Sequence, residues 1–337
     1  MAGRAPRDGY HPPEPAPDAL VRWPEAFGRR FTLFVDTEEE FDWSAPPSRD
    51  ARGVTAVAAL PDAHRRFRSL GVLPTYMVDH PVVTDTRAIA AMRAVLASGG
   101  AAIGAQLHPW VNPPFQDAAG PETSYPGNLS RSVEAAKIDV LTDAIVRALD
   151  VRPLAYRAGR YGIGPSTAAL LAERGYRLDS SVRARYDYRA DGGPDFRGLG
   201  SAAYRMGPAG ALIELPLTTV FTGRWGEGGR RWHALAGGLP RARGLLARAG
   251  LVARVALTPE DMPVRDVTEA IRVAAGEGLA LLNLSFHSPS LVPGHTPYVR
   301  DAGDLARFWA WWDAVLHALD QAGYRAAALD DVIAAAR

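Results

Sequence analysis

Residues 31–43 read Phe31-Thr-Leu-Phe-Val35-Asp36-Thr37-Glu38-Glu39-Glu40-Phe41-Asp42-Trp43. An apolar run of strand formers ends in a burst of carboxylates. Successive side chains of a strand point to opposite faces, which puts Asp36 and Glu38 on one face and Thr37 and Glu39 on the other. Carboxylates converging on one point repel each other unless a cation or a shared proton compensates. A solvated acidic loop would carry a similar run. Here the acids follow directly on a strand of buried composition, which favours a site.

The same rhythm continues outward. A helix is expected from Pro61, with Phe67 and Leu70 turned inward and Gly71 as its stop signal. Strands are expected at 72–78, 101–107, 153–156, 176–179, 212–215, 281–286 and 325–329, and helices at 86–96, 165–174, 264–276 and 301–322. Ser130 is placed to cap a further helix whose apolar face runs through Val133, Leu141, Ile145 and Leu149. Strands alternating with helices predict a parallel sheet. Without a glycine-rich dinucleotide or phosphate turn, seven or eight such units favour a (β/α)7-8 barrel over a doubly wound sheet. Residues 1–30, rich in proline and polar groups, are expected to form an extension, and 31–335 the barrel. Two stretches interrupt the rhythm, 109–130 and 183–240, and both leave strand ends. Long loops at that face are expected to act as lids or binding loops.

Composition narrows the chemistry. The chain has 337 residues, 47% hydrophobic and 22% charged, with net charge +1 and no cysteine. There is no global attraction to nucleic acid, no thiolate zinc site and no cysteine nucleophile. Any metal must be held by His, carboxylate, amide or water. No stretch approaches the length of a membrane span, and the first residues lack an apolar signal core, so the expected location is cytoplasmic.

Three further clusters lie on strand ends. In Ile103-Gly-Ala-Gln106-Leu-His108-Pro-Trp110, Gln106 and His108 share a face; imidazole suits zinc and similar ions, an amide less well. A hydrogen-bonding structural role for His108 remains equally open. In Tyr156-Arg157-Ala-Gly159-Arg160-Tyr161-Gly162, two arginines at a strand-to-helix turn can hold a carboxylate or meet an anion, and surface charge pairing is the plainer alternative. In Leu284-Ser-Phe286-His287-Ser288-Pro289, a strand delivers a histidine able to act as general acid or base, unless it is merely a buried, satisfied one. Glu39, Glu40 and His295 are spare ligand candidates. His64, His80 and His317 read as structural. The run Phe308-Trp309-Ala-Trp311-Trp312 follows helical spacing and reads as core, with Trp311 off the main face. Trp110, Phe115, Trp225 and Trp232, in loops, are better placed to touch a ligand.

Taken in order, the four clusters resemble the successive motifs of the NodB-type polysaccharide deacetylases, carbohydrate esterase family four; the phrases DTEEEFDW, GAQLHPW, YRAGRYG and SFHSPSLVPGHTPYV are most similar to its WalW-like branch. The resemblance spans roughly residues 31–330. It implies an α/β fold, a distorted barrel of the glycoside hydrolase/deacetylase type with long active-face loops. It also implies metal-dependent removal of an acetyl group from an N-acetylated sugar or polysaccharide precursor. Carried over, Asp36 is the catalytic base, Arg157 the arginine that holds it, and His287 the acid that protonates the leaving amine. Glu38 and His108 are metal ligands, with Gln106 where a first histidine is expected and Thr37 where the usual second aspartate stands. The cofactor expected is a divalent metal, zinc by preference. Trp110, Arg160, Tyr161, Asp179 and His295 are assigned to substrate binding, with a backbone N–H near Tyr161 for the oxyanion. The alternative is a catalytically degenerate barrel that binds carbohydrate or a partner protein, suggested by Gln106 and Thr37.

Overall fold

The computed structural model describes residues 9–116, 120–238 and 241–337. Among these residues eleven strands are formed: β1 (Arg30–Thr37), β2 (Pro74–Val78), β3 (Ala102–Leu107), β4 (Ala155–Ala158), β5 (Leu178–Asp179), β6 (Tyr204–Met206), β7 (Leu212–Glu214), β8 (Thr219–Thr222), β9 (Ala253–Ala256), β10 (Leu281–His287) and β11 (Arg325–Ala326). In the main sheet β10, β1, β2, β3, β4, β5 and β7 lie side by side, all parallel. The short β6 adds antiparallel to β7, and β11 pairs with the start of β1. β8 and β9 form a separate antiparallel pair.

The sheet is a curled half-barrel. Between β7 and β10 the ladder is replaced by irregular chain. Thr218 donates its N–H to the Asn283 carbonyl at 3.1 Å, Leu257 to Thr218 at 3.0 Å and Ser285 to Leu257 at 3.2 Å. Seven parallel strands are therefore present of the seven or eight expected, distorted where chain 217–219 and 256–258 fills the seam.

Helices cover the outside: α1 (Leu60–Ser69), α2 (Thr86–Ala97), α3 (Arg131–Leu149), α4 (Thr167–Glu173), α5 (Arg230–Leu235), α6 (Ala242–Arg248), α7 (Val264–Gly276), α8 (Ala302–Gln321) and α9 (Leu329–Ala335). Their starts follow from local chemistry, because the first turn of a helix leaves N–H donors that a short polar side chain can accept. Asp85 accepts from the Arg87 and Ala88 N–H groups, Ser130 from Val133 and Asp301 from Asp304. β1 is buried along almost its whole length, as expected for a parallel strand covered on both faces.

The core bears out the aromatic reading of α8 in the main. Trp312 is fully buried against Phe67, Phe286 and Phe308. Trp311 differs from expectation: it is buried too, and its indole N–H donates to the Met262 carbonyl at 2.9 Å. The stretch 183–240 is also more structured than a loop, since it supplies β6, β7, β8 and α5. Ahead of β1 the chain lies along the body. Asp195 donates to the Tyr10 carbonyl at 2.9 Å, Val21 to Ala203 at 2.9 Å and Arg22 to Arg337 at 2.9 Å. Among the described residues no helix is long and apolar enough to cross a membrane.

Candidate active site

The parallel register sets the site. Asp36, the penultimate residue of β1, lies directly beside His287, which ends β10, and Gln106 of β3 stands beside Arg157 of β4. All four lie toward the C-terminal ends of parallel strands, where side chains are released from the ladder into the barrel mouth.

Asp36 is buried and held by Arg157, whose Nη1 donates to Asp36 Oδ1 at 2.5 Å. The guanidinium is in turn fixed by Ser285 Oγ at 2.7 Å and by the Ser180 carbonyl and hydroxyl at 2.9 Å each. A buried ion pair is costly unless its remaining donors are satisfied, and here the neighbouring serines satisfy them. The other Asp36 oxygen lies 3.6 Å from His287 Nε2.

His287 has a partner that the sequence reading missed. Glu260, in the loop between β9 and α7, receives the His287 Nδ1 proton at 2.5 Å and its backbone N–H at 3.0 Å, and the Ser290 hydroxyl donates to it at 2.9 Å. Burial opposes the charge on His287, but Glu260, Glu38 and Asp36 outweigh it and raise its pKa to about 10. At neutral pH the imidazole is therefore protonated, as a general acid must be. The available signal for Glu260 was an acidic pair, Glu260-Asp261, enclosed by Pro259 and Pro263 just ahead of a helix.

Glu38, Gln106 and His108 come together beside this pair. The Gln106 amide nitrogen donates to Glu38 Oε2 at 2.9 Å and lies 3.2 Å from His108 Nε2. Glu38 Oε1 and Gln106 Oε1 are buried acceptors without a hydrogen-bond partner. Burial is the main reason the Glu38 carboxyl is pushed up to about 8. Unpaired buried acceptors beside an imidazole lone pair are what a cation would satisfy, so this donor set fits a metal ion. One carboxylate, one imidazole and one amide make a weaker set than one with two imidazoles.

A second group lies behind His108. Glu39, Asp79 and His108, all buried, offer ligand atoms within 4.8 Å of one another. Those atoms are already engaged in hydrogen bonds. Glu39 accepts from His108 Nδ1 at 2.7 Å and from the Trp110 indole at 2.6 Å, while Asp79 accepts the Glu39 and Val82 N–H groups at 2.8 and 2.9 Å. Burial raises the pKa of both acids. The group orients His108 so that Nε2 faces Gln106 and Glu38, a common arrangement for a ligating imidazole. Asp79 carries the same signal as Asp36, a carboxylate at the end of an apolar strand.

These groups open on a cavity of about 620 Å³, lined by Asp36, Glu38, His108, Arg157, Tyr161 and His287 among others. Trp110, Arg160 and Tyr161 line it as well, and so does Trp43, which packs edge-on to His287 at 4.9 Å. Arg160 and Tyr161 both adopt left-handed backbone, φ 56° and 58°. For non-glycine residues that costs about 1–2 kcal/mol each. Contacts of Arg160 with Ser124 at 2.7 Å and Asp191 at 3.0 Å hold the turn in place. Gly159 precedes it because a Cβ there would meet His108 Cδ2 at 2.5 Å.

Other expected residues lie elsewhere. Asp179 is enclosed in the sheet rather than on the cavity, facing Glu214 across the β5–β7 register, where burial raises both pKa values. His295 stands 3.6 Å from Glu40 and does not line the cavity. Phe115, Trp225 and Trp232 are exposed and also lie outside its lining. His64 is a buried structural histidine, 2.9 Å from the Tyr76 hydroxyl and 3.0 Å from the Gly99 carbonyl.

No protein-family model matches the chain, and neither does any curated protein sequence. Solved structures do match in fold. One from Mycobacterium smegmatis, assigned to the polysaccharide deacetylases, is 16% identical with a TM-score of 0.54, covering 95% of this chain and 94% of its own. Another, from Pseudomonas aeruginosa and assigned to the same group, is 13% identical with a TM-score of 0.50, covering 92% and 91%. The architecture is therefore one that solved polysaccharide deacetylase structures share. At such identities the likeness concerns the fold.

Proposed function

We propose that the protein is a hydrolase that cleaves a linear amide C–N bond, removing the acetyl group of an N-acetylated sugar or polysaccharide precursor. The reading carries a divalent cation, zinc by preference, held by Glu38, Gln106 and His108. The observation that carries it is the pairing of Asp36, held by buried Arg157, with His287, held by Glu260, in the lining of one cavity. The fold shared with polysaccharide deacetylase structures supports the substrate class.

When bound, the cation would polarise the amide carbonyl and make a nearby water more acidic. The chain's own groups do the rest. Arg157 keeps Asp36 in place as proton acceptor. Water oxygen bonds to the carbonyl carbon as Asp36 takes its proton. His287 then gives its Nε2 proton to the amide nitrogen while the C–N bond breaks, because an amine anion is too basic to leave. Acetate and a free amine result. Glu260 compensates the imidazolium before transfer, and Tyr161 and Trp43 shape the walls around the acetamido group.

One observation favours a second reading, a degenerate barrel that binds carbohydrate without turnover. The Gln106 amide nitrogen already bridges Glu38 and His108, where a cation would lie. Zinc titration of the chelator-treated chain, with Glu38→Ala and His108→Ala as controls, separates the two when paired with acetate release from a panel of N-acetylamino sugars. Stoichiometric zinc binding lost in both variants, with zinc-dependent acetate release, is the expected result. Sugar binding with neither would establish the second reading.

A further inference from the structure

Three guanidinium groups reach the cavity, and two have an acid: Arg157 pairs with Asp36 at 2.5 Å and Arg160 with Asp191 at 3.0 Å. Arg183 has none. Among the described residues no carboxylate lies within ion-pair distance of it and none accepts a hydrogen bond from its side chain; Asp261 lines the same cavity but lies farther away. Its Nε is buried, and the polar group that interacts with the side chain is the neighbouring buried Tyr188 hydroxyl, which is neutral and does not balance the charge.

Aromatic rings hold the cation instead. Arg183 stands 4.0 Å from the centroid of Tyr186 and 5.7 Å from that of Tyr161. Arg254 stands 3.5 Å from the centroid of the same Tyr186 ring, so two cations share that one ring. Arg254 also lacks an acidic partner among the described residues and donates to the Arg185 carbonyl at 3.0 Å. Two half-buried guanidiniums around one ring repel each other. Ring faces compensate part of that cost, and a bound anion compensates more. A guanidinium presents a planar fork that matches carboxylate or phosphate oxygens in pairs. Tyr161 also approaches Arg157 at 5.8 Å, so Arg183 is one ring contact away from the arginine that holds Asp36.

We propose that Arg183 forms an anion subsite of the cavity, and that the substrate is an acidic N-acetylated sugar whose carboxylate or phosphate reaches it. The inference rests on the reading of the cavity as a substrate site. Calorimetry on the full chain compares three probes: N-acetylglucosamine, its uronic acid and its 6-phosphate. The wild type is expected to bind one of the acidic probes at least about tenfold more tightly than the neutral sugar, the scale of a charge-assisted hydrogen bond. The tighter of the two identifies carboxylate or phosphate. The preference should vanish in Arg183→Gln and survive in part in Arg183→Lys. Equal affinity for all three probes in the wild type overturns the proposal without any variant, and so does failure of both acids to bind at millimolar concentration. A preference that persists in Arg183→Gln also overturns it. Deacetylation with no charge preference would leave the reaction standing and remove the subsite; charge-selective binding without deacetylation would do the reverse.

Discussion

Asp36 and His287 are neighbours in register, and in the proposed reaction they carry opposite duties that their different partners would set. Arg157 stabilises the anion on one side and Glu260 the cation on the other. Glu260→Gln removes the charge that offsets burial of the imidazole. Its activity should fall, and the alkaline limb of its pH–rate profile should move down from near pH 10 toward neutrality, since His287 must be protonated to act. An unchanged limb would show that Glu260 only fills space. Gly159→Ala should press on His108 and cost about 1–3 kcal/mol of stability in denaturant unfolding. Asp36, Glu38, His108, Arg157 and His287 could be named from sequence because each ends or follows a strand within a short polar motif. Glu260 and Asp79 could not be given partners, because only the closed register brings Glu260 to His287 and Asp79 to Glu39.

At the scale of the element, α8 shows why the helices were easier to read than the seam. Its apolar positions recur with helical period and Asp301 caps its start, so both its limits and its core face could be expected. Trp312 wedges among Phe67, Phe286 and Phe308 behind β10, the strand that presents His287. Trp312→Ala should therefore cost about 3–5 kcal/mol, read as a lower urea midpoint, with the protonation behaviour of His287 retained. The β8–β9 pair had no comparable signal. Each strand has only four residues, and 30 residues separate them, from Gly223 to Val252. Their pairing depends on the sheet they seal rather than on a turn between them.

Across the whole molecule, buried acids set the response to pH. Burial lifts Glu134 and Asp179 to about 7 and raises Glu214 as well. An acid whose pKa is higher folded than unfolded binds more protons in the folded state, so its stabilisation is present at low pH and is lost as pH rises. His287, raised to about 10, adds a loss in the same direction above its unfolded value of about 6.5. The melting temperature should thus decline from pH 5 to pH 8, and Glu134→Gln should flatten that slope; a rise over this range would refute the assignment. The half-barrel itself was foreseeable from alternating strands and helices, while the way its mouth is lined was not. Arg183, Tyr186 and Glu260 come from irregular chain whose course depends on tertiary packing.

The proposed reaction needs Asp36 and His287 to work together as an acid–base pair for amide hydrolysis. Acetate release from N-acetylated sugars, neutral and acidic, measured for the zinc-loaded wild type and for Asp36→Asn, tests it most directly. Release by the wild type is expected, with a loss of about 10²-fold or more in the variant. Equal rates in the two proteins, or no acetate from any sugar, would contradict it.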